Sequence, residues 1–101
     1  MPANNSFYLS TRAESDIETL YDDTCDRLSL GSAEGLVLNI SIAFRRLAET
    51  DDRAEDCSHI SPGLRAWPVD SHMIYFRREA DGVNILRVLH QSQHHPARLS
   101  H

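Results

Sequence analysis

The sequence predicts an α+β domain of order β-α-α-β-β-β, in which a helical hairpin lies on one face of a small, mainly antiparallel sheet. Three observations predict it. Three runs of β-branched, aromatic and aliphatic residues, Leu64 to Val69, His72 to Arg78 and Val83 to His90, are separated by turn residues at Asp70-Ser71 and Ala80-Asp81-Gly82. Upstream, between about residues 11 and 49, apolar residues recur at spacings of three and four, the period of amphipathic helices. Both faces of the strands are partly apolar: Ile74 and Phe76 alternate with Met73 and Tyr75, and Leu86 and Val88 with Ile85 and Leu89. A sheet wet on one side alternates more cleanly, so helices should cover one face and leave the other semi-apolar for a partner.

Each element has its own signal. Ser6 to Ser10 reads as a short strand. Thr11-Arg12-Ala13-Glu14 fits a capping box, after which Ala13, Ile17, Leu20, Tyr21, Thr24 and Leu28 make one core-facing stripe and Gly31 a helix stop. The opposite face carries Glu18, Asp22 and Asp26, an ordinary solvated face or a landing strip for a basic partner. Ser32 caps a second helix that runs to about Glu49, with Leu36, Ile40, Ala43, Phe44 and Leu47 as its stripe. Leu38 and Ile42 project well outside that stripe, toward Arg45 and Glu49, and should be exposed in a monomer. Thr50 to Ser61 is acidic and aperiodic and reads as a loop. In the last hairpin, Asp81-Gly82 is the turn signal, since a tight turn matching strand twist needs positive φ. Its second strand should set Val83, Ile85, Arg87 and Leu89 on one face, where Arg87 interrupts an apolar row and is either paired or presented to a partner.

Length and composition bound the rest. A chain of 101 residues forms one domain with a modest core, residues 1–5 and 96–101 being flexible ends. Met1 to Asn5 has neither a basic region nor an apolar core, and no apolar run approaches ~20 residues, so neither a signal peptide nor a membrane span is expected. A cytoplasmic protein follows. Cys25 and Cys57 are too few for a disulfide framework. The charge is uneven: residues 1–59 hold twelve acids and five arginines, residues 60–101 three acids and five arginines, and no lysine occurs.

Few motifs carry chemistry. Cys57-x-His59 lacks the second ligand pair of a zinc site, and His94-His95 in a polar tail cannot easily face one ion, so no metal is expected and no cofactor. Glycine-rich phosphate loops, nucleophile elbows and a basic stripe suited to duplex DNA are all missing from the sequence. Trp67 and Tyr75 could stack on a base but fit ordinary sheet packing.

Pro62-Gly63-Leu64-Arg65, Ser71-His72 leading into Ile74-Tyr75-Phe76-Arg77, Val83 to Ile85, and Arg87-Val88-Leu89-His90 together resemble ParE toxins of the RelE/ParE superfamily. Phe7 to Ser10 before Ala13 to Ile17 resembles the family's opening strand and first helix, and places that strand beside the meander. The resemblance implies the toxin of a bacterial type II toxin–antitoxin pair, in hetero-oligomeric complex with a ParD-like antitoxin and acting on DNA gyrase as a binding inhibitor. The off-stripe placement of Leu38 and Ile42 and the semi-apolar sheet face put the antitoxin contacts at Leu38, Ile42, Trp67 and Tyr75, and the target contacts are expected at Arg65, Arg87, His90, His94 and His95. The competing class is a RelE-like ribosome-dependent mRNA endonuclease, for which Arg65, Arg77, Arg87 and His90 would supply phosphorane contacts and proton transfer. The weak positive charge of the sheet half favours the inhibitor, because an RNA phosphate track calls for more cations. One departure stands out: ParE relatives follow the equivalent of His90 with a basic or small residue and then Met-Asp, whereas Gln91-Ser92-Gln93-His94-His95-Pro96 follows here. A degenerate toxin that only binds its antitoxin is the third possibility.

Overall fold

A computed structural model describes residues 6–49 and 53–99. In chain order its elements are β1 Phe7–Leu9, α1 Thr11–Arg27, α2 Leu30–Glu49, β2 Glu55–Asp56, β3 Arg65–Val69, β4 His72–Glu79, β5 Gly82–His90 and α3 His95–Leu99. The five strands form one sheet ordered β1-β5-β4-β3-β2. β1 runs parallel to β5, with Phe7 opposite Val83, and the other neighbours pair antiparallel. The expected α+β plan is present, with two additions. Glu55–Asp56, within the segment expected to be a loop, extends the sheet by pairing with Ala66 and Arg65. Residues 95–99, most of them in the tail expected to be flexible, form a short helix, while the predicted ends at 1–5 and 100–101 lie outside the described residues.

The helices pack on one face as their stripes require. Ala13, Leu20, Ile40, Ala43, Phe44 and Leu47 meet Ile74, Phe76, Val83, Ile85 and Val88 in a single apolar cluster. Leu28 departs from the first stripe and is exposed, because α1 ends before it at Arg27. The caps lie outside the expected positions. Ser10, rather than Thr11, accepts the Ala13 amide at 3.0 Å while its hydroxyl donates to the Leu86 carbonyl at 2.8 Å. Ser29, rather than Ser32, caps α2 by accepting the Ser32 amide, so Gly31 falls inside the first turn of α2 and stops nothing.

The opposite sheet face is not left open. Cys57, Leu64, Ala66, Tyr75 and Leu89 form a second cluster, joined by Ile60 from the loop before β3 and Leu99 from α3. The chain therefore covers with its own loop and terminal helix the face expected to await a partner.

β5 contains an irregularity that redistributes its side chains. Tyr75 pairs with Arg87 but the next residue, Phe76, pairs with Ile85, so Leu86 is an extra residue in β5. The apolar row facing the helices is Val83, Ile85 and Val88, whereas Leu86 and Leu89 join the second cluster. The regular alternation of Val83, Ile85, Arg87 and Leu89 does not occur, because a bulge shifts the period of two by one residue.

At the β4–β5 hairpin Glu79 pairs with Gly82, making Ala80-Asp81 the two-residue loop, one position earlier than expected. Positive φ falls on Gly82, at 147°, and not on Asp81. A Cβ there would stand 2.6 Å from the Ser6 carbonyl oxygen, which accepts the Val83 amide at the start of the β1–β5 ladder. Gly82→Ala should therefore cost about 2 kcal/mol or more through strain and loss of that close approach. Urea unfolding would show it; a midpoint equal to wild type would refute the steric account.

Candidate functional site

Two regions gather the residues that sequence reasoning singled out. The first is the outer side of α2. Leu38 and Ile42, one helical turn apart, are 58% and 40% exposed. Val37 turns toward α1 and with Ile17 and Tyr21 lines a shallow groove between the helices, rimmed by Glu18 and Asp22. Trp67 and Tyr75 do not join this surface. Trp67 is half-buried against the helix-side core, and Tyr75, 6% exposed, lies in the cluster on the other sheet face.

The second region is the end of the sheet where β5 meets α1 and α3. A groove of about 580 Å³ is lined by Asp16, Asp23 and Arg27 of α1, by His72, Arg87 and His90 of the sheet, and by Ser92, Gln93 and Arg98 beyond it. Arg87 is held rather than free. Its Nε donates to Asp16 Oδ2 at 2.8 Å, its Nη2 to Asp16 Oδ1 at 2.9 Å and its Nη1 to the Arg98 carbonyl at 3.0 Å. Asp16 Oδ2 also accepts the Val88 amide at 2.9 Å. The hydrogen bonds to Asp16 hold the guanidinium above its ordinary range, against the opposing effect of burial.

The histidines are equally engaged. His95 Nε2 lies 2.8 Å from the His90 carbonyl and must donate to it, which leaves Nδ1 to accept the Tyr75 hydroxyl. Burial raises the Tyr75 pKa, so the phenol stays a donor. His90 Nδ1 accepts the Ser92 amide at 3.0 Å, which assigns the proton of the neutral ring to Nε2. His94 is exposed. Arg65, half-buried on β3, donates to the Ala54 carbonyl, and Arg77 donates to the Pro62 carbonyl and the Ser61 hydroxyl. The four arginine and histidine side chains considered for nuclease chemistry thus do not converge: Arg87 and His90 line the large groove, and Arg65 and Arg77 do not.

Asp16, His72, Arg12 and Arg98 were not singled out from sequence. His72 is the most informative of these. Its ring meets His90 edge to face at 5.1 Å, and its Nδ1 is buried without a hydrogen-bond partner among the described residues. Burial first, and the His90 charge second, lower its pKa, with Asp70 and Asp23 opposing and Arg27 reinforcing. Among the described residues no group of three His, Cys, Asp or Glu side chains could hold a metal, and both cysteines are free. No helix of the described residues is long and apolar enough to cross a membrane.

The sign of the His72 effect follows from linkage. A histidine whose folded pKa is depressed binds its proton more readily when unfolded, so stability is full above about pH 6.5 and declines as pH falls through that value toward the folded pKa. His72→Gln should flatten part of the fall in urea midpoint between pH 7.5 and 5. Parallel pH profiles for the two proteins would sink the assignment.

The chain and its architecture have counterparts among known proteins. The model for "ParE toxin of type II toxin-antitoxin system, parDE" matches residues 7–95. Toxin ParE1 of Mycobacterium tuberculosis is 30% identical over 89 residues, covering 87% of this chain and 91% of that protein. Toxin ParE3 of Caulobacter vibrioides is 28% identical over 74 residues, covering 73% of this chain and 74% of the relative. A solved structure described as a chromosomal ParDE TA system from P. aeruginosa superposes with a TM-score of 0.73 at 20% identity, over 84% of this chain and 94% of that one. That likeness bears on the fold.

Proposed function

Because this chain belongs to the ParE toxin family of type II toxin–antitoxin systems, we propose that it is a cytoplasmic inhibitor that binds DNA gyrase and is neutralised by a cognate ParD-like antitoxin. The observation that carries the inhibitor reading over the nuclease one is that the candidate groups do not gather around one groove: Arg87, tied to Asp16, and His90 line the large groove, and Arg65 and Arg77 do not. Arg65, Arg77 and Arg87 each donate to acceptors within the protein, and His95 is fixed between Tyr75 and a carbonyl. A ribonuclease concentrates an acid, a base and phosphorane cations around one phosphate. A binding inhibitor needs only a shaped surface. On this reading His94, exposed at the end of the sheet, is a contact to the target, and the neighbouring His90 and His95 shape the surface that presents it.

The antitoxin surface is the outer side of α2. The free sheet face that sequence offered as an alternative is filled by the loop before β3 and by α3, whereas Leu38 and Ile42 remain an exposed aliphatic pair one turn apart along α2, in addition to Leu28 and Leu30 at the turn between the helices. An antitoxin segment that folds as it binds would offset its ordering cost by burying them, at ~25 cal/mol per Å² of apolar area. Leu38→Glu combined with Ile42→Glu should weaken the antitoxin complex by at least about tenfold, or ~1.4 kcal/mol, with the fold intact by circular dichroism. Calorimetric titration that returns the wild-type affinity would show that the interface lies elsewhere.

Target choice has its own test. Purified protein should slow gyrase supercoiling and leave cleaved DNA, while mRNA on programmed ribosomes stays whole. His94→Ala should reduce inhibition by a few-fold only, since a surface loses contacts one at a time. Ribosome-dependent mRNA cleavage that vanishes in His90→Ala, with supercoiling untouched, would replace the inhibitor by a RelE-like nuclease. In that case each proton-transfer group would contribute ~10²-fold or more.

A further inference from the structure

Beside the large groove, two smaller pockets share a wall of arginine. One, of about 280 Å³, is lined by Arg12, Arg77, Arg87 and Arg98, together with Thr11, Ser61 and three leucines, Leu64, Leu86 and Leu99. The other, of about 310 Å³, is lined by Arg12, Ser15, Asp16, Arg87 and Arg98. Asp16 is the single acid in either lining, and both its oxygens are taken by Arg87 and the Val88 amide. Among the described residues Arg77 donates only to neutral acceptors, the Pro62 carbonyl and the Ser61 hydroxyl. The guanidiniums of Arg12 and Arg98, both exposed, have no hydrogen bond or ion pair among the described residues. Three cations thus go uncompensated at one spot of a chain whose formal net charge is −5.

We infer that this arginine-lined pocket between the start of α1 and α3 is a docking site for an acidic peptide segment in which carboxylates alternate with aliphatic residues. Guanidinium forks match carboxylates bidentately, which accounts for the charge. The leucines account for the alternation. Leu86 and Leu99 are only half-buried and stand among the arginines, where a phosphodiester track would be expected to meet polar groups and a continuous basic stripe. The overall negative charge also disfavours nucleic acid, since repulsion from the rest of the surface opposes its approach. The inference deepens the toxin–antitoxin reading and rests on it for the source of the peptide: a segment of the antitoxin separate from the one that covers Leu38 and Ile42.

The test uses two surface variants, Arg12→Gln with Arg98→Gln, and Arg12→Lys with Arg98→Lys, each compared with wild type by circular dichroism. An acetylated, amidated Glu-Leu-Glu-Leu-Glu peptide titrated into nitrogen-15-labelled protein should shift amide resonances around Arg12, Arg87 and Arg98. The matching Gln-Leu-Gln-Leu-Gln peptide should not, and the double Gln variant should lose the response while the Lys variant keeps part of it. The full antitoxin from the adjoining reading frame should bind the double Gln variant at least fivefold more weakly, with a shallower salt dependence. Unchanged antitoxin affinity and an absent peptide response would overturn the pocket while leaving the toxin–antitoxin reading intact. If wild type fails to bind the antitoxin at all, that reading falls, and the peptide titration alone decides the pocket. Tighter binding of a ten-residue oligothymidylate than of the acidic peptide at the same resonances would overturn the peptide in favour of single-stranded nucleic acid.

Discussion

The fold depends on how the start of α1 captures the bulge in β5. Leu86 is the extra residue in β5, and because β1 ends at Leu9, opposite Ile85, the edge of β5 beyond it has no strand beside it, so its polar backbone groups need other partners. Two residues of the α1 segment take them up: Ser10 donates to the Leu86 carbonyl and Asp16 accepts the Val88 amide. The Ser10 amide adds a further bond to the Ile85 carbonyl. The same Asp16 closes a bidentate ion pair with Arg87, the two side chains being only 13% and 14% exposed. A carboxylate so far from water would cost several kcal/mol unpaired, and three donors in good geometry offset that cost. Removing either partner leaves the other buried and uncompensated. The pair consequently favours one register of helix against strand over any slipped alternative, because a shift of one residue would strand both charges.

The bulge also decides what the sheet offers to its surroundings. By moving Val88 to the helix side and Leu89 to the opposite side, it gives each of the two clusters a full set of aliphatic residues from a single strand. The second cluster is then apolar enough that solvent exposure would be costly, and the loop from Cys57 to Leu64 together with α3 covers it. α3 is docked there by Leu99 and by the Tyr75–His95–His90 hydrogen bonds. Its docking brings Arg98 beside Arg87, so the arginine wall is a consequence of the same irregularity.

The strand runs and the helix stripes were legible because each is a local period, and the exposed positions of Leu38 and Ile42 follow from 100° per residue alone. The caps were misplaced by local ambiguity. Ser10-Thr11 and Ser29 to Ser32 both offer hydroxyls, and the choice of Ser10 is tied to a carbonyl 76 positions away. The bulge had no local signature at all, although one long-range clue existed: Arg87 was the charged residue in an apolar strand, and Asp16 lies beside the Ala13–Leu20 stripe. Two opposite charges each misplaced on a core-facing element are explained together or not at all. α3 was hidden for a different reason, since His95-Pro96-Ala97-Arg98-Leu99 is too short to be stable without Leu99 and His95 anchoring it to the sheet.

The two candidate surfaces of this molecule carry charges of opposite sign, and that bears on how a partner would engage it. The exposed aliphatic pair belongs to α2, and the groove beside it is rimmed by Glu18 and Asp22, so a segment lying there meets apolar side chains next to negative charge. The arginine-lined pocket lies at the start of α1, where the cations are unmatched. A single uniform segment cannot complement both. A partner that engages the two surfaces must itself be divided, aliphatic and neutral or basic where it crosses α2, acidic where it reaches Arg12 and Arg98. Such a division fixes the direction in which the segment runs, because reversing it would set acid against acid at one end and leave arginine unpaired at the other.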